Sequence, residues 1–104
     1  MTYRVHVRAV AERDIERAGD WYAIEAPTHV ERFEEELDDA IGRMVAHPLV
    51  PKVLVAGARR MHLNVYPYEL WYLVHDELEV IEIVALIHDR QDTSTVVARL
   101  GPTP

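Results

Sequence analysis

The spacing of the hydrophobic residues changes along the chain, and this change constrains the fold more than any single motif. Over residues 2–8 apolar and polar side chains alternate, which predicts a strand. From Ala9 the period lengthens to three or four residues, which predicts a helix that ends near Glu25. The apolar stripe of this helix comprises Ala11, Ile15, Ala18 and Tyr22.

A second helical stripe follows Pro27, a residue that favours the first turn of a helix. Its members are Val30, Phe33, Leu37, Ile41 and Met44. The helix is predicted to stop at His47-Pro48, because a residue that precedes proline disfavours the helical conformation. Two stripes joined by so short a connection predict an antiparallel helical hairpin.

Alternation returns in the second half of the chain, after a loop over residues 48–58 that contains two prolines. Three strands are predicted there, near residues 59–65, 68–75 and 79–88, followed by a polar tail or short helix from Asp89. The predicted fold is therefore α+β. It has an N-terminal strand and an antiparallel helical hairpin packed on an antiparallel sheet, in the order β-α-α-β-β-β. We expect residues 1–104 to form one domain.

The alternation also assigns the two faces of the predicted sheet. A two-residue turn at Asp76-Glu77 pairs Leu70 with Ile83 and Tyr72 with Ile81. The face toward the helices then carries Met61, Leu63, Leu70, Tyr72, Val74, Ile81, Ile83 and Ala85. We expect this face to form the core with residues of the helical stripes, namely Ile15, Tyr22, Phe33, Leu37 and Ile41.

The opposite face of the sheet carries an apolar strip that comprises Trp71, Leu73, Val84 and Leu86. An exposed apolar patch usually marks an interaction surface, so one prediction is that this strip binds a partner protein. Trp71→Ala should then weaken the partner's affinity at least tenfold, or about 1.4 kcal/mol. The alternative is that the tail from Thr93 to Leu100 covers the strip with Val96, Val97 and Leu100.

Composition and charge exclude several classes of protein. The chain has no cysteine, which excludes a disulfide scaffold and fits a reducing cytoplasm. Its start lacks the apolar run of a signal peptide, and no segment approaches the roughly 18 apolar residues of a membrane helix. The net charge is −7, with eleven basic and eighteen acidic residues, which argues against direct nucleic-acid binding.

Metal and cofactor sites are not predicted. His62, His75 and His88 recur at regular intervals, but His75 and His88 lie at opposite ends of neighbouring strands. At about 3.3 Å per residue they are roughly 30 Å apart, too far to share an ion. The chain contains no glycine-rich phosphate loop. Arg59-Arg60 is open to two interpretations, an anion clamp or solvated charge.

The order of elements, together with several short motifs, resembles the ParE/RelE toxin superfamily of bacterial type II toxin–antitoxin modules. The resemblance covers nearly the whole chain, through DIERAGDWYAIEAPTHVERFEEELDDAIGRMVAHP, ARRMHLNVYPYELWYLV and VIEIVALIHDRQD. In that superfamily an Asp begins the first helix and a Tyr ends it, as Asp14 and Tyr22 do here. The other matching positions are Arg32-Phe33, Pro48, Arg59, Pro67-Tyr68, Tyr72, His88 and Arg90.

The resemblance implies one of two activities. ParE-like members are associated with poisoning DNA gyrase, whereas RelE-like members look like ribosome-dependent mRNA endonucleases. The Pro-Tyr-x-x-x-Tyr and His-x-Arg patterns lie nearer the ParE branch, and the acidic net charge argues the same way. We therefore expect a plasmid-stabilisation toxin that inhibits DNA gyrase and is neutralised by a cognate antitoxin. An inactive relic that still binds its antitoxin is a further alternative.

The resemblance also implies the residues of the functional site. For a gyrase inhibitor, Arg59, His88 and Arg90 would form the surface that contacts the target. For an mRNA interferase the same residues would be catalytic, with Arg59 stabilising the phosphate and His88 acting as general acid or base. Arg59 and His88 should then lie within about 10 Å of each other on an open face.

Overall fold

The structure is a computed structural model that describes residues 2–101, and it confirms the predicted α+β order. In chain order the elements are β1 (Arg4–Val7), α1 (Ala9–Glu25), α2 (Val30–Ala46), β2 (Arg59–His62), β3 (Tyr68–His75), β4 (Val80–His88) and α3 (Ser94–Leu100). Short 3₁₀ turns connect α1 to α2 and β3 to β4. Within the described residues, no helix has the length and apolar character needed to cross a membrane.

The strands form one sheet in the order β1-β4-β3-β2. As predicted, β2, β3 and β4 form an antiparallel meander. The N-terminal strand differs, because β1 pairs in parallel with the first half of β4, from Val80 to Ile83. Parallel strands need a long connection between them, and the helical hairpin together with β2 and β3 provides it for β1 and β4. The sheet as a whole is therefore mixed rather than antiparallel.

The turns of the meander are longer than the predicted two-residue turns. His75 pairs with Val80, so the connection contains four residues and ends at Glu79, whose φ of 54° is left-handed. Tyr72 consequently pairs with Ile83 instead of Ile81. The displacement is two residues, and side chains in a strand alternate with a period of two, so Tyr72, Ile81 and Ile83 still face the helices.

A β-bulge in β4 changes the facing of the residues beyond it. Tyr72 pairs with Ile83 and Trp71 with Ala85, which leaves Val84 as the extra residue. An extra residue reverses the alternation for the remainder of a strand. Two predictions are wrong for this reason. Ala85 packs on the face away from the helical hairpin, and Leu86, predicted to be on the partner-binding strip, packs into the core beneath the hairpin.

The core beneath the helical hairpin contains the residues predicted for it except Ala85. Tyr22, Phe33, Leu37, Tyr72, Ile81 and Ile83 are buried in one cluster. Ile15 and Ile41 are partly buried and pack against its margin. The apolar spacing of both helices therefore identified the buried side of each correctly.

A second, smaller core lies on the other face of the sheet, beneath α3. Its buried members are Ala58, Trp71, Val84, Ala85, Ile87 and Val96. Leu100 packs against this cluster, whereas Val97 is 41% exposed. The structure thus has the arrangement in which the chain's own tail covers most of the apolar strip.

Glu82 on β4 makes polar contacts with Arg8, which follows β1, and with His75 at the end of β3. Its carboxylate accepts a hydrogen bond from Arg8 Nε at 2.7 Å and lies 3.0 Å from His75 Nε2. The hydrogen bond from Arg8 lowers the pKa of Glu82 below its ordinary value of 4.5. Partial burial acts in the opposite direction, and the contact with His75 lowers the pKa further. The folded state therefore favours the ionised carboxylate.

We expect Glu82→Gln to lower the free energy of unfolding at pH 7 by about 1–2 kcal/mol, less than the roughly 1.5–3 kcal/mol of a hydrogen bond to a charged group, because the glutamine oxygen can still accept from Arg8. Because the pKa of Glu82 is lowered on folding, this stabilisation is present above pH 4.5 and disappears as the pH falls through the folded-state pKa. Urea unfolding at pH 7 and at a pH below the folded-state pKa of Glu82 measures the difference, with Glu34→Gln on the exposed side of α2 as the control. An equal loss at both pH values would contradict the assignment.

Candidate functional site

The second half of β4 has an edge that β1 is too short to cover. Side chains from outside the sheet bond to its main-chain groups instead. Arg99 donates to the Val84 carbonyl at 3.0 Å, Asp14 accepts from the Leu86 N–H at 3.0 Å, and Gln91 accepts from the His88 N–H at 2.8 Å. These three side chains satisfy the polar groups that the bulge and the short β1 leave open.

Asp14 and Arg99 form a two-pronged ion pair between α1 and α3. The guanidinium nitrogens lie 2.6 and 2.9 Å from the two carboxylate oxygens. Both side chains are largely buried, with 11% of Asp14 and 21% of Arg99 exposed. The hydrogen bonds that Arg99 donates to Asp14 raise the pKa of Arg99 above its ordinary value. The pair therefore anchors α3 to the first helix and to β4.

A cleft of 380 Å³ opens beside this ion pair, between α1, the end of β4 and α3. Its polar lining includes Arg17, Gln91 and Thr95, and its aromatic lining is formed by Trp21, Tyr68 and His88. Trp21 is 55% exposed although it is one of the largest side chains in the chain. A concave surface that combines exposed aromatic rings with a few polar groups is a candidate binding site.

His88 is held at the rim of this cleft by its neighbours. Its Nδ1 accepts the N–H of Arg90 at 3.1 Å and lies 3.2 Å from a carboxylate oxygen of Asp89. Its ring packs edge-on against Tyr68, with 5.3 Å between the ring centroids. Burial raises the pKa of Tyr68 above its ordinary value of 10.0, and its hydroxyl is protonated at neutral pH.

Arg59 lies away from this cleft and holds a loop. Its guanidinium donates to the carbonyls of Leu49 and Pro51, while the neighbouring Tyr72 hydroxyl donates to the carbonyl of Pro48. Arg59 pairs with Tyr72 across the sheet, whereas His88 pairs with Tyr68. Four residues along β3 and two strand spacings therefore separate Arg59 and His88, or about 16 Å between their Cα atoms. The structure brings His88 and Arg90 together, but not Arg59.

Arg60 is neither an open anion clamp nor simply solvated. It lies 3.3 Å from the carboxylate of Glu69, and its guanidinium carbon is 5.7 Å from the centroid of the Trp71 ring. Glu69 is only 5% exposed, and it also accepts a hydrogen bond from the Trp71 indole at 3.3 Å. The charge of Arg60 is therefore neutralised within the chain.

The predicted partner-binding strip is not open in this structure. Trp71 and Val84 are fully buried beneath α3, Leu73 is partly buried, and Leu86 faces the other core. A partner could reach Trp71 and Val84 only if α3 left the sheet. Binding of a partner by these residues stays a prediction.

The cleft and the Asp14–Arg99 pair were not found by sequence analysis. The resemblance had matched Asp14 to a family position, but it gave no contact for its carboxylate, and Arg99 looked like an ordinary charge in a polar tail. Trp21 offered one signal, because it is a large aromatic residue beside the apolar stripe of α1 rather than on it.

Comparison with known proteins identifies a family. Residues 5–93 match the family described as "ParE toxin of type II toxin-antitoxin system, parDE". This match spans nearly the whole sheet, both long helices, His88 at the end of β4 and Arg90 in the turn that follows. No curated protein matches the chain.

Solved structures show the same fold. A chain of the chromosomal ParDE toxin–antitoxin system from P. aeruginosa is 17% identical, with a TM-score of 0.68 over 83% of this chain and 95% of that chain. A chain of the RelBE2 toxin–antitoxin complex from Mycobacterium tuberculosis is 24% identical, with a TM-score of 0.61 over 85% and 99%. A chain of the intact E. coli RelBE toxin–antitoxin complex is 17% identical, with a TM-score of 0.55 over 86% and 99%. At these identities the likeness is one of fold, and it includes both branches.

Proposed function

Because the chain belongs to the ParE toxin family of type II toxin–antitoxin systems, we propose that it inhibits DNA gyrase and that a cognate antitoxin holds it inactive. In this proposal the toxin acts by binding the gyrase–DNA complex and trapping cleaved DNA. It breaks no bond itself. It acts in the cytoplasm, where gyrase and DNA are found.

The observation that carries the choice of an inhibitor is the separation of Arg59 from His88. Cleavage of RNA by the alternative mechanism requires a cation and an acid or base that reach the same phosphate. About 16 Å between Cα atoms, with the Arg59 guanidinium bound to a loop, keeps Arg59, the cation that the resemblance assigns to the phosphate, away from His88. Arg60 on the sheet face is paired with Glu69, which further favours a surface that binds without chemistry.

An antitoxin partner is supported by the similar folds. The P. aeruginosa, M. tuberculosis and E. coli chains come from toxin–antitoxin systems or complexes. We propose that this chain likewise has an antitoxin, whose binding covers the surface needed for gyrase.

We propose that His88 and Arg90 contact the target directly. His88 ends β4 and Arg90 lies in the turn that follows, where it is exposed. Arg59 contributes differently, by holding the loop that follows α2 through the Leu49 and Pro51 carbonyls.

Induced expression without an antitoxin tests the proposed function. We expect growth arrest with double-strand DNA breaks, and the purified chain should convert supercoiled plasmid to linear DNA in the presence of gyrase. Arrest with ribosome-dependent mRNA cleavage and intact DNA would instead establish the interferase. Normal growth at verified levels of folded protein would establish an inactive relic.

The contact residues are tested in the same plasmid assay. We expect Arg90→Glu to weaken gyrase inhibition at least roughly tenfold, because a reversed charge at a contact typically costs more than 1.4 kcal/mol. Arg4→Glu, an equally exposed reversal on β1, is the matched control and should retain inhibition within about twofold. Equal inhibition by the two variants would place the target contact elsewhere.

A further inference from the structure

We infer that the cleft between α1, the end of β4 and α3 is the docking site for an acidic peptide segment of the antitoxin. A carboxylate of that segment binds Arg17, and a neighbouring large apolar side chain packs on Trp21. This inference rests on the proposed antitoxin partner and adds the chemistry by which the partner is recognised.

The charge of the cleft is the first reason. Asp14 and Arg99 neutralise each other, which leaves Arg17 as an additional positive charge in the lining. Arg17 is exposed, and it is not among the arginines that form ion pairs in the described part of the chain. The whole chain carries −7, so a cleft with a positive lining is a local departure from its surroundings.

A second surface depression has a negatively charged lining, in contrast to the cleft beside Arg17. It lies along α2 and is lined by four carboxylates and one guanidinium, from Glu31, Glu35, Glu36, Asp39 and Arg32. An acidic segment would be repelled there and attracted to the cleft beside Arg17. Electrostatic complementarity therefore selects one of the two depressions.

The aromatic wall is the second reason. Trp21 forms one side of the cleft, and Tyr68 with the ring of His88 forms another. Trp and Arg are both enriched at protein interfaces, because Trp supplies a large contact area and Arg supplies a charged contact. Trp21 and Arg17 together therefore fit the role of an interface anchor. The Thr95 hydroxyl and the Gln91 side chain add polar groups that can orient a main chain.

A peptide is favoured over a nucleotide, although both can combine a negative charge with a flat ring. A nucleic-acid strand would bring many phosphates toward a chain of net charge −7, and long-range repulsion opposes that approach. A short acidic segment needs only the local positive lining. Once bound, it covers His88, so antitoxin binding and target contact compete for the same end of the molecule.

Charge reversal at Arg17 is the direct test. Antitoxin binding is measured by calorimetry for the wild-type chain, Arg17→Glu and Arg13→Glu. Arg13 is an exposed arginine one turn away on α1 that does not line the cleft. We expect Arg17→Glu to raise the Kd at least about tenfold and Arg13→Glu to change it less than about threefold. An equal change in both variants would overturn the inference.

The aromatic wall is tested by a second pair of variants. Trp21→Ala should raise the Kd at least about tenfold, whereas Ile24→Ala, which removes an apolar side chain that is 77% exposed elsewhere on α1, should have little effect. Acrylamide quenching gives an independent readout, because Trp21 is exposed and Trp71 is fully buried. Binding should protect Trp21 from the quencher. A Trp21 that stays accessible in the complex would refute the docking site.

The outcomes separate this inference from the proposed function. If the wild-type chain binds its antitoxin and both cleft variants bind equally well, the partner is real but docks elsewhere. If the wild-type chain arrests growth and binds no antitoxin, the proposed neutralisation fails, and this inference fails with it. If single-stranded oligonucleotide binds the wild-type chain and not Arg17→Glu, while antitoxin affinity is unchanged, the cleft binds nucleic acid and the inference is wrong.

Discussion

Trp71→Ala is expected to lower the free energy of unfolding by about 3–5 kcal/mol, the range for removing a buried aromatic side chain. Trp71 is fully buried and packs with Ala58, Val84, Ala85, Ile87 and Val96. Its loss leaves a cavity under α3 and removes the indole that donates to the buried Glu69 carboxylate. Because domains of this size are stable by roughly 5–15 kcal/mol, the variant is expected to be close to unfolding.

Urea unfolding of Trp71→Ala is compared with that of Trp21→Ala, which makes the same substitution at a position that is 55% exposed. Trp21→Ala is expected to cost less than about 1 kcal/mol. If Trp71→Ala does not fold, the milder variant Trp71→Phe replaces it in the comparison. Trp71→Phe keeps an aromatic ring without the N–H donor and should cost about 1–2 kcal/mol. Equal stabilities of the two alanine variants would mean that α3 does not cover the sheet in solution. The apolar strip would then be exposed and available to bind a partner protein, as predicted.

Asp14→Ala is expected to lower the free energy of unfolding by about 3 kcal/mol, near the lower end of the range for breaking a buried ion pair. The substitution leaves the Arg99 guanidinium largely buried without its carboxylate and the Leu86 N–H without its acceptor. Since Arg99 is the tie between α3 and α1, we also expect α3 to detach before the rest of the chain unfolds. Hydrogen exchange of the α3 amides measures this directly.

A double-mutant cycle isolates the contribution of the pair. Arg99→Met keeps the apolar stem of the side chain and removes its charge. If the ion pair acts as described, the coupling energy between Asp14→Ala and Arg99→Met should be at least about 1 kcal/mol. Asp38→Ala on the exposed side of α2 is the control and should change stability by less than about 0.5 kcal/mol. Additive effects of the two substitutions would show that Asp14 and Arg99 act independently.

The covering of the strip illustrates how far sequence reasoning reached. The alternation of β3 showed that Trp71 lies on the face opposite the helical hairpin, and it does. The sequence did not show which segment covers that face. The tail contains enough apolar residues to cover it, but no local feature requires the tail to do so. The tie that decides the matter is Arg99 with Asp14, two residues separated by 85 positions.

The candidate site shows the same limit. His88 and Arg90 are close in sequence, so their proximity in space was assured. Arg59 was grouped with them from the resemblance, but the sheet register places it about 16 Å from His88. The cleft has walls from α1, β4 and α3, and no local pattern in any one of these elements indicates that they meet.

The order of the elements and the buried side of both helices follow from the amino-acid sequence, because hydrophobic periods of two and of about 3.6 are local properties of strands and helices. The faces of the strands before the bulge follow from it as well, since a register error of two residues leaves every side chain on its predicted face. The facing of the residues beyond the bulge depends on contacts between distant parts of the chain. The bulge at Val84 is held by Asp14 and Arg99 from opposite ends of the chain. One extra residue there places Leu86 in the main core and Ala85 outside it. The bulge could not be located from the sequence, because contacts between distant residues, not local preference, decide where a strand is interrupted.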